Sequence, residues 1–197
     1  MKINNIVKYL IAFEFHVLTV SGLTAPIFAI FVANSIVGGS IGVVGFASAV
    51  YMASFSIARL VSAYYVDKKF SERQRITLSA VGTILIGFCY LLYVFARLPW
   101  HIYVLQIINA VGVAFRYSPF MSLFTRYIDR GQESFEWGIN GAVTSLGQAL
   151  TAAVGGIMVE KYGFKTVFII VGVFVLIGLI YPYMIYREAE KIKDHMR

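Results

Sequence analysis

The sequence predicts an all-α, polytopic membrane protein of six transmembrane helices. Three observations carry that prediction. The chain of 197 residues is 59% hydrophobic and only 14% charged, with a mean hydropathy of +0.75, whereas a soluble domain carries about a quarter charged residues. Its apolar residues gather into runs long enough to cross a hydrocarbon core of ~30 Å, which takes about 20 helical residues. The short alternating segments of a membrane β-barrel do not occur.

Taken in order, the first span covers 7–32, with Pro26 near its far end. Its run YLIAFEFHVLTVSGL, residues 9–23, is broken by Glu14 and His16. Lys2 and Lys8 precede it as they would precede a signal peptide, but the run is too long for a signal h-region and holds a carboxylate. The second span, 41–66, is rich in small residues, and the third, 76–96, has no charge. The fourth runs 99–125, the fifth 137–159 and the sixth, again uncharged, 166–186; a short charged tail, 187–197, follows. The whole chain is read as one six-helix transmembrane domain, 1–197.

Lys and Arg set the orientation. Lys2, Lys8, Lys68, Lys69, Arg73, Arg75, Arg126, Arg130, Arg187, Lys191, Lys193 and Arg197 fall at one set of span ends. Only Arg97, Lys161 and Lys165 fall at the other. Basic residues accumulate on the cytoplasmic side, so both termini are expected inside, in a plasma membrane. The net charge of +7 is then a topology signal and a contact with anionic headgroups, not a nucleic-acid surface. The lone Cys89 excludes an internal disulfide framework or a cysteine metal cluster. No paired metal-ligand spacing, nucleophile elbow or phosphate loop appears, so neither an enzyme nor a cofactor or metal is expected.

Small residues recur at helical spacing: Gly45, Ala49 and Ala53; Gly82 and Gly87; Gly138, Gly141, Gly147, Gly155 and Gly156. In lipid these let helices approach closely, and they predict a tight bundle.

Two stretches carry a family resemblance. SAYYVDKKFSERQRI, residues 62–76, resembles the loop between the second and third helices of the major facilitator superfamily of secondary transporters. Asp67 and Lys68 take the places of its Asp-Arg, and Arg73 and Arg75 those of its basic pair. Ala63 stands where the family has Gly and Tyr65 where it has Leu. GAVTSLGQALTAAVGGIMVEKYGFKTVFII, residues 141–170, is similar to the fifth and sixth helices, through Gly155, Gly156, Gly163, Phe164, Lys165 and Phe168. The fourth span keeps Gly112 and Pro119 of a further motif, with Gln106 where that motif has its membrane-embedded Arg.

The resemblance implies a bundle of the half-family type. The superfamily has two similar six-helix halves with the substrate between them, whereas this chain has six spans. Two parallel copies would rebuild the full architecture, so a homodimer is expected, a closed two-fold pair being the commonest oligomer. The resemblance also implies a cytoplasmic gate made by Asp67, Lys68, Arg73 and Arg75, with ion pairs to residues such as Asp129 or Glu133.

Glu14, Arg59 and Arg116 lie inside the spans. Ionisable groups there are costly and usually pair or face water. The first span runs inward to outward and the fourth the reverse, so Glu14 and Arg116 fall at matching depths. Gln106 and Asn109 on the fourth span and Asn140 and Gln148 on the fifth add polar stripes that suit a hydrated cavity. The expected function is a secondary transporter of a small solute, a homodimer working by alternating access, proton-coupled through Glu14. Arg59 is a further cavity or gate candidate. A fixed Glu14–Arg116 helix lock, a channel, an accessory subunit and one half of a hetero-oligomeric transporter are the alternatives.

Overall fold

The computed structural model describes residues 3–195, with side chains from residue 3 to 191. Seven helical elements follow in order: α1 (Asn5–Gly22), α2 (Phe28–Ser35), α3 (Ile41–Lys68), α4 (Glu72–Tyr93), α5 (Pro99–Tyr127), α6 (Glu133–Ile177) and α7 (Ile180–His195). No strand occurs among the described residues.

Local sequence explains the ends. Asn4 caps α1, its side-chain oxygen accepting from the Ile6 N–H at 2.9 Å. Ser71 and Gln74 form a reciprocal cap on α4, Ser71 N donating to Gln74 Oε1 at 2.8 Å. Pro99 opens α5, where a missing N–H costs nothing.

The elements differ from the expected spans in three places. The first span is split, since the chain turns through 23–27 around Pro26 before α2 begins. The helix α6 runs through both the fifth and sixth spans, but it is two rods meeting at Gly163, whose φ of 78° and ψ of 161° no helical residue adopts. Glycine takes this left-handed φ without a Cβ clash. The third difference is the charged tail, which is helical: α7 starts at Ile180, after a break at Gly178, and continues to His195.

Helices α3, α4 and α5 are each long and apolar enough to cross a bilayer, and the run Glu133–Lys191, 59 residues, suffices for two crossings. Adding the split α1–α2 pass gives the six-helix architecture. In the bundle α5 packs against α3 and α4, α1 packs against α6 and α7, and α4 against α6 closes the two groups together.

Glycines set the closest approaches. A Cβ on Gly82 would lie 2.5 Å from the Arg116 N and Gly112 O backbone atoms, so α4 and α5 touch backbone to backbone. Gly155 approaches Leu23 O and Gly147 approaches Thr19, bringing α6 onto α1. Gly45, Gly138, Gly141 and Gly156 meet nothing within 4 Å. The sequence treats all of these as packing positions; the single chain uses only part of them.

Two apolar clusters fill the bundle. One surrounds Phe31, Tyr93, Ile102 and Phe168 near the loops that join α2 to α3 and α4 to α5. The other surrounds Ile6, Leu10, Phe120 and Phe124 near the opposite end. Between them, on α1 and α5, lies a charged pair.

Candidate functional site

Arg116 reaches across from α5 to Glu14 on α1 with both ends of its guanidinium. Nη1 donates to Glu14 Oε2, and Nη2 donates to Oε1 at 3.3 Å. Arg116 is 2% exposed and Glu14 3%. Arg116 Nε has no hydrogen-bond partner. This is a two-pronged pairing of the kind a planar guanidinium makes, in a place where neither charge reaches water. Each group is tolerable there because of the other.

The polar residues expected around it separate into two places. Gln106 and Asn109 line a cavity of about 480 Å³ with Ser21, Thr24, Tyr51 and Tyr93. The Tyr93 hydroxyl donates to Gln106 Oε1 at 3.3 Å, while Asn109 Oδ1 is buried without a partner. Asn140 and Gln148 lie on the α6 face that meets α1. Asn140 is buried with Oδ1 unpartnered. Gln148 is half-buried and donates to the Thr144 carbonyl at 3.4 Å. The pair and these amides thus surround α1 rather than sharing one open cavity in this conformation.

The loop residues divide as well. Asp67 and Arg75 line a second cavity of about 490 Å³ together with Arg59 and Arg126. Arg75 Nε donates to the Val66 carbonyl at 3.1 Å. Lys68 is exposed in the last turn of α3. Arg73 is turned the other way, 5.6 Å from the Tyr186 ring of α7. Asp129 is half-buried at the start of the turn before α6. Glu133 is exposed in the first turn of α6, where backbone N–H groups of Glu133 and Gly131 hold its carboxyl below the usual range. Among the described residues no ion pair joins Asp129 or Glu133 to Arg73 or Arg75 within the chain.

Both ring-nitrogen questions have local answers. His16 Nε2 lies 2.7 Å from the Phe174 carbonyl, which only accepts, so Nε2 carries the hydrogen. His101 Nδ1 accepts from the Leu98 N–H at 3.1 Å and so caps α5.

One residue of interest is absent from the sequence reading. Glu136 is 0% exposed, and neither carboxylate oxygen has a hydrogen-bond partner. Burial, then the adjacent Asp129 carboxyl, push its own carboxyl above the usual range. The signal was available: Glu136 stands four residues before Asn140, extending the Asn140–Thr144–Gln148 stripe by one helical turn.

A family model described as Major Facilitator Superfamily matches residues 12–195. The chain belongs to the Major Facilitator Superfamily. Among curated proteins, none matches at a significant level. Among solved structures the fold is similar to the in meso crystal structure of the POT family transporter PepTSo, with a TM-score of 0.74 and 16% sequence identity. That match covers 93% of this chain and 38% of that one, so this Major Facilitator chain spans well under half the length of its structural neighbour. At this identity the likeness shows the fold. Membership places the chain among integral membrane proteins of a transporter family, not among enzymes. Within that frame Glu14 and Arg116 join two helices of one half across its interior.

Proposed function

We propose that this chain moves a small solute across the plasma membrane by alternating access. It works as a parallel homodimer with both termini cytoplasmic, and Glu14 takes up and releases the coupled proton. The observation that carries the reading is the Glu14–Arg116 pair. A charge near the bilayer centre costs about 3 kcal/mol even on the lenient insertion scale, so such groups persist where they act. Buried ion pairs are poor devices for stability alone. Protonation of Glu14 cancels its attraction for Arg116 and frees α1 from α5, which links proton uptake to helix movement.

The dimer is supported by what the chain leaves uncovered. Only 6% of the most apolar stretch of α3 is buried, against 50% for α4 and for α5. Gly45, Ala49 and Ala53 are exposed along one line of α3, and Gly141, Ser145, Ala149 and Ala153 along one line of α6. Both lines repeat a small residue every fourth position, the spacing that admits another helix closely. A second copy would offer each line the other.

The test has two stages. The particle mass in nanodiscs, corrected for lipid, should be that of two chains; one chain persisting in lipid would refute the homodimer. Proteoliposomes loaded with a pH dye should then acidify when a transported solute is added, and Glu14→Gln should abolish that signal while keeping solute binding. Solute flux through Glu14→Gln at the native rate and without proton movement would remove the coupling role. Saturation of flux with solute separates a carrier from a channel.

A further inference from the structure

The cavity between α3, α4 and α5 has no part in the Glu14–Arg116 chemistry, and charged side chains line it. Arg59 and Asp67 come from α3, Arg75 from the start of α4, and Tyr117, Ser122 and Arg126 from α5. Three arginines and one aspartate line it, and among the described residues no ion pair links Asp67 to any of them. The cavity therefore carries an uncompensated positive charge. We propose that it binds a phosphate group, carried by an anionic phospholipid or by a small soluble phosphate ester.

The geometry suits that ligand. The Arg59 guanidinium lies 4.7 Å from the Tyr117 ring centroid and 5.7 Å from that of Phe55. Packing against rings holds the side chain without spending its N–H donors. Arg75 spends Nε on the Val66 carbonyl at 3.1 Å, which anchors the side chain and leaves its terminal nitrogens available. Tyr117 and Ser122 add hydroxyl donors beside them. Ser118 adds none, being bonded to Ser62 Oγ at 2.7 Å. The volume of about 490 Å³ falls within the range of roughly 300–1,000 Å³ of small-molecule sites. Asp67, Arg75 and Arg126 stand at the helix ends whose basic residues mark the cytoplasmic interface, the level at which basic pockets between helices take lipid phosphates. The proposal concerns binding and holds whether or not the chain transports anything.

Native mass spectrometry in mild detergent tests it, with phosphatidylglycerol and phosphatidylcholine as probes. Wild type should retain phosphatidylglycerol in preference to phosphatidylcholine, and Arg59→Gln/Arg126→Gln should weaken that retention by about twenty-five-fold, at about fivefold for each surface arginine. Arg130→Gln/Arg187→Gln, equal in charge change but outside the cavity, should leave retention unaltered. If the double cavity variant unfolds, Arg126→Gln alone, at an exposed position, should still weaken it by about fivefold. Displacement of the lipid by glycerol 3-phosphate, or a rise in unfolding temperature with glycerol 3-phosphate alone, assigns the site to a soluble ester. Equal retention of the two lipids, no response to glycerol 3-phosphate and no effect of the variants overturn the proposal. So does loss of the dimer in the cavity variants with lipid retention unchanged, which would make the arginines a subunit contact.

Discussion

Removing either partner of the Glu14–Arg116 pair should destabilise the chain, and the two removals should differ in their response to pH. The two side chains are 3% and 2% exposed, so a surviving charge would have no water to turn to. Breaking a buried pair from one side costs about 3–5 kcal/mol. For Glu14→Gln the stranded group is a guanidinium, which stays charged at any accessible pH. For Arg116→Gln it is a carboxylate, which can escape by taking a proton. Acid should therefore bring Glu14→Gln no relief, whereas it should restore part of the stability of Arg116→Gln. The double variant strands no charge and should lie closer to wild type than either single variant at pH 7. At about 2–4 °C per kcal/mol for a chain of this size, each single variant should unfold roughly 6–20 °C below wild type at pH 7. The chain supplies its own probe, since its single cysteine, Cys89, is buried. A thiol-reactive dye that fluoresces on reaching Cys89 reports unfolding in detergent. Wild-type stability in Glu14→Gln would refute the argument, because it would mean that water already solvates the pair.

Three further outcomes follow from the packing and the buried acid. Gly82→Ala should cost about 1–3 kcal/mol, because its Cβ would meet backbone atoms of α5 at 2.5 Å; Gly45→Ala, which meets nothing, should leave the Cys89 unfolding temperature at or above wild type. Gly45→Leu/Gly141→Leu should reduce the nanodisc particle from two chains to one without lowering the unfolding temperature of the chain, and an intact dimer would show that these lines face lipid. Glu136→Gln should raise the unfolding temperature at pH 8 and leave it unchanged near pH 4. Its carboxyl is raised in the folded state above an ordinary value of 4.5, so the fold binds the proton more tightly and loses stability as pH climbs past that value. A destabilised Glu136→Gln at pH 8 would mean that the ionised carboxylate has a partner.

Much of the architecture is legible in composition. Six apolar runs, the basic ends and the order of Asp67, Gly112, Pro119 and Gly155–Gly156 lead to the same superfamily that the family match assigns. Helix breaks are harder to read, for a local reason. Pro26 removes a backbone donor inside the first run, yet Pro119 does the same inside α5 without ending it, because the buried neighbours around Pro119 hold the helix together. Proline states a weakness; packing decides whether the chain gives way there.

What the sequence by itself determined was class and depth. Apolar length requires membrane helices, since hydrocarbon offers no partner for a bare backbone, and span direction puts Glu14 and Arg116 at one level. Azimuth was left to the tertiary structure. A span records how deep a residue lies, but its facing depends on how seven elements rotate against one another, and that is settled by close contacts such as Gly82 on α5 and Gly147 on α1. Those contacts turn Arg116 onto Glu14 and Arg73 toward α7, and they set Arg59, Arg75 and Arg126 around one cavity. They also leave Gly45 and Gly141 open. Residues identical in type and similar in depth thus serve different ends, because in a bundle the energy of a side chain is decided by the neighbour it faces.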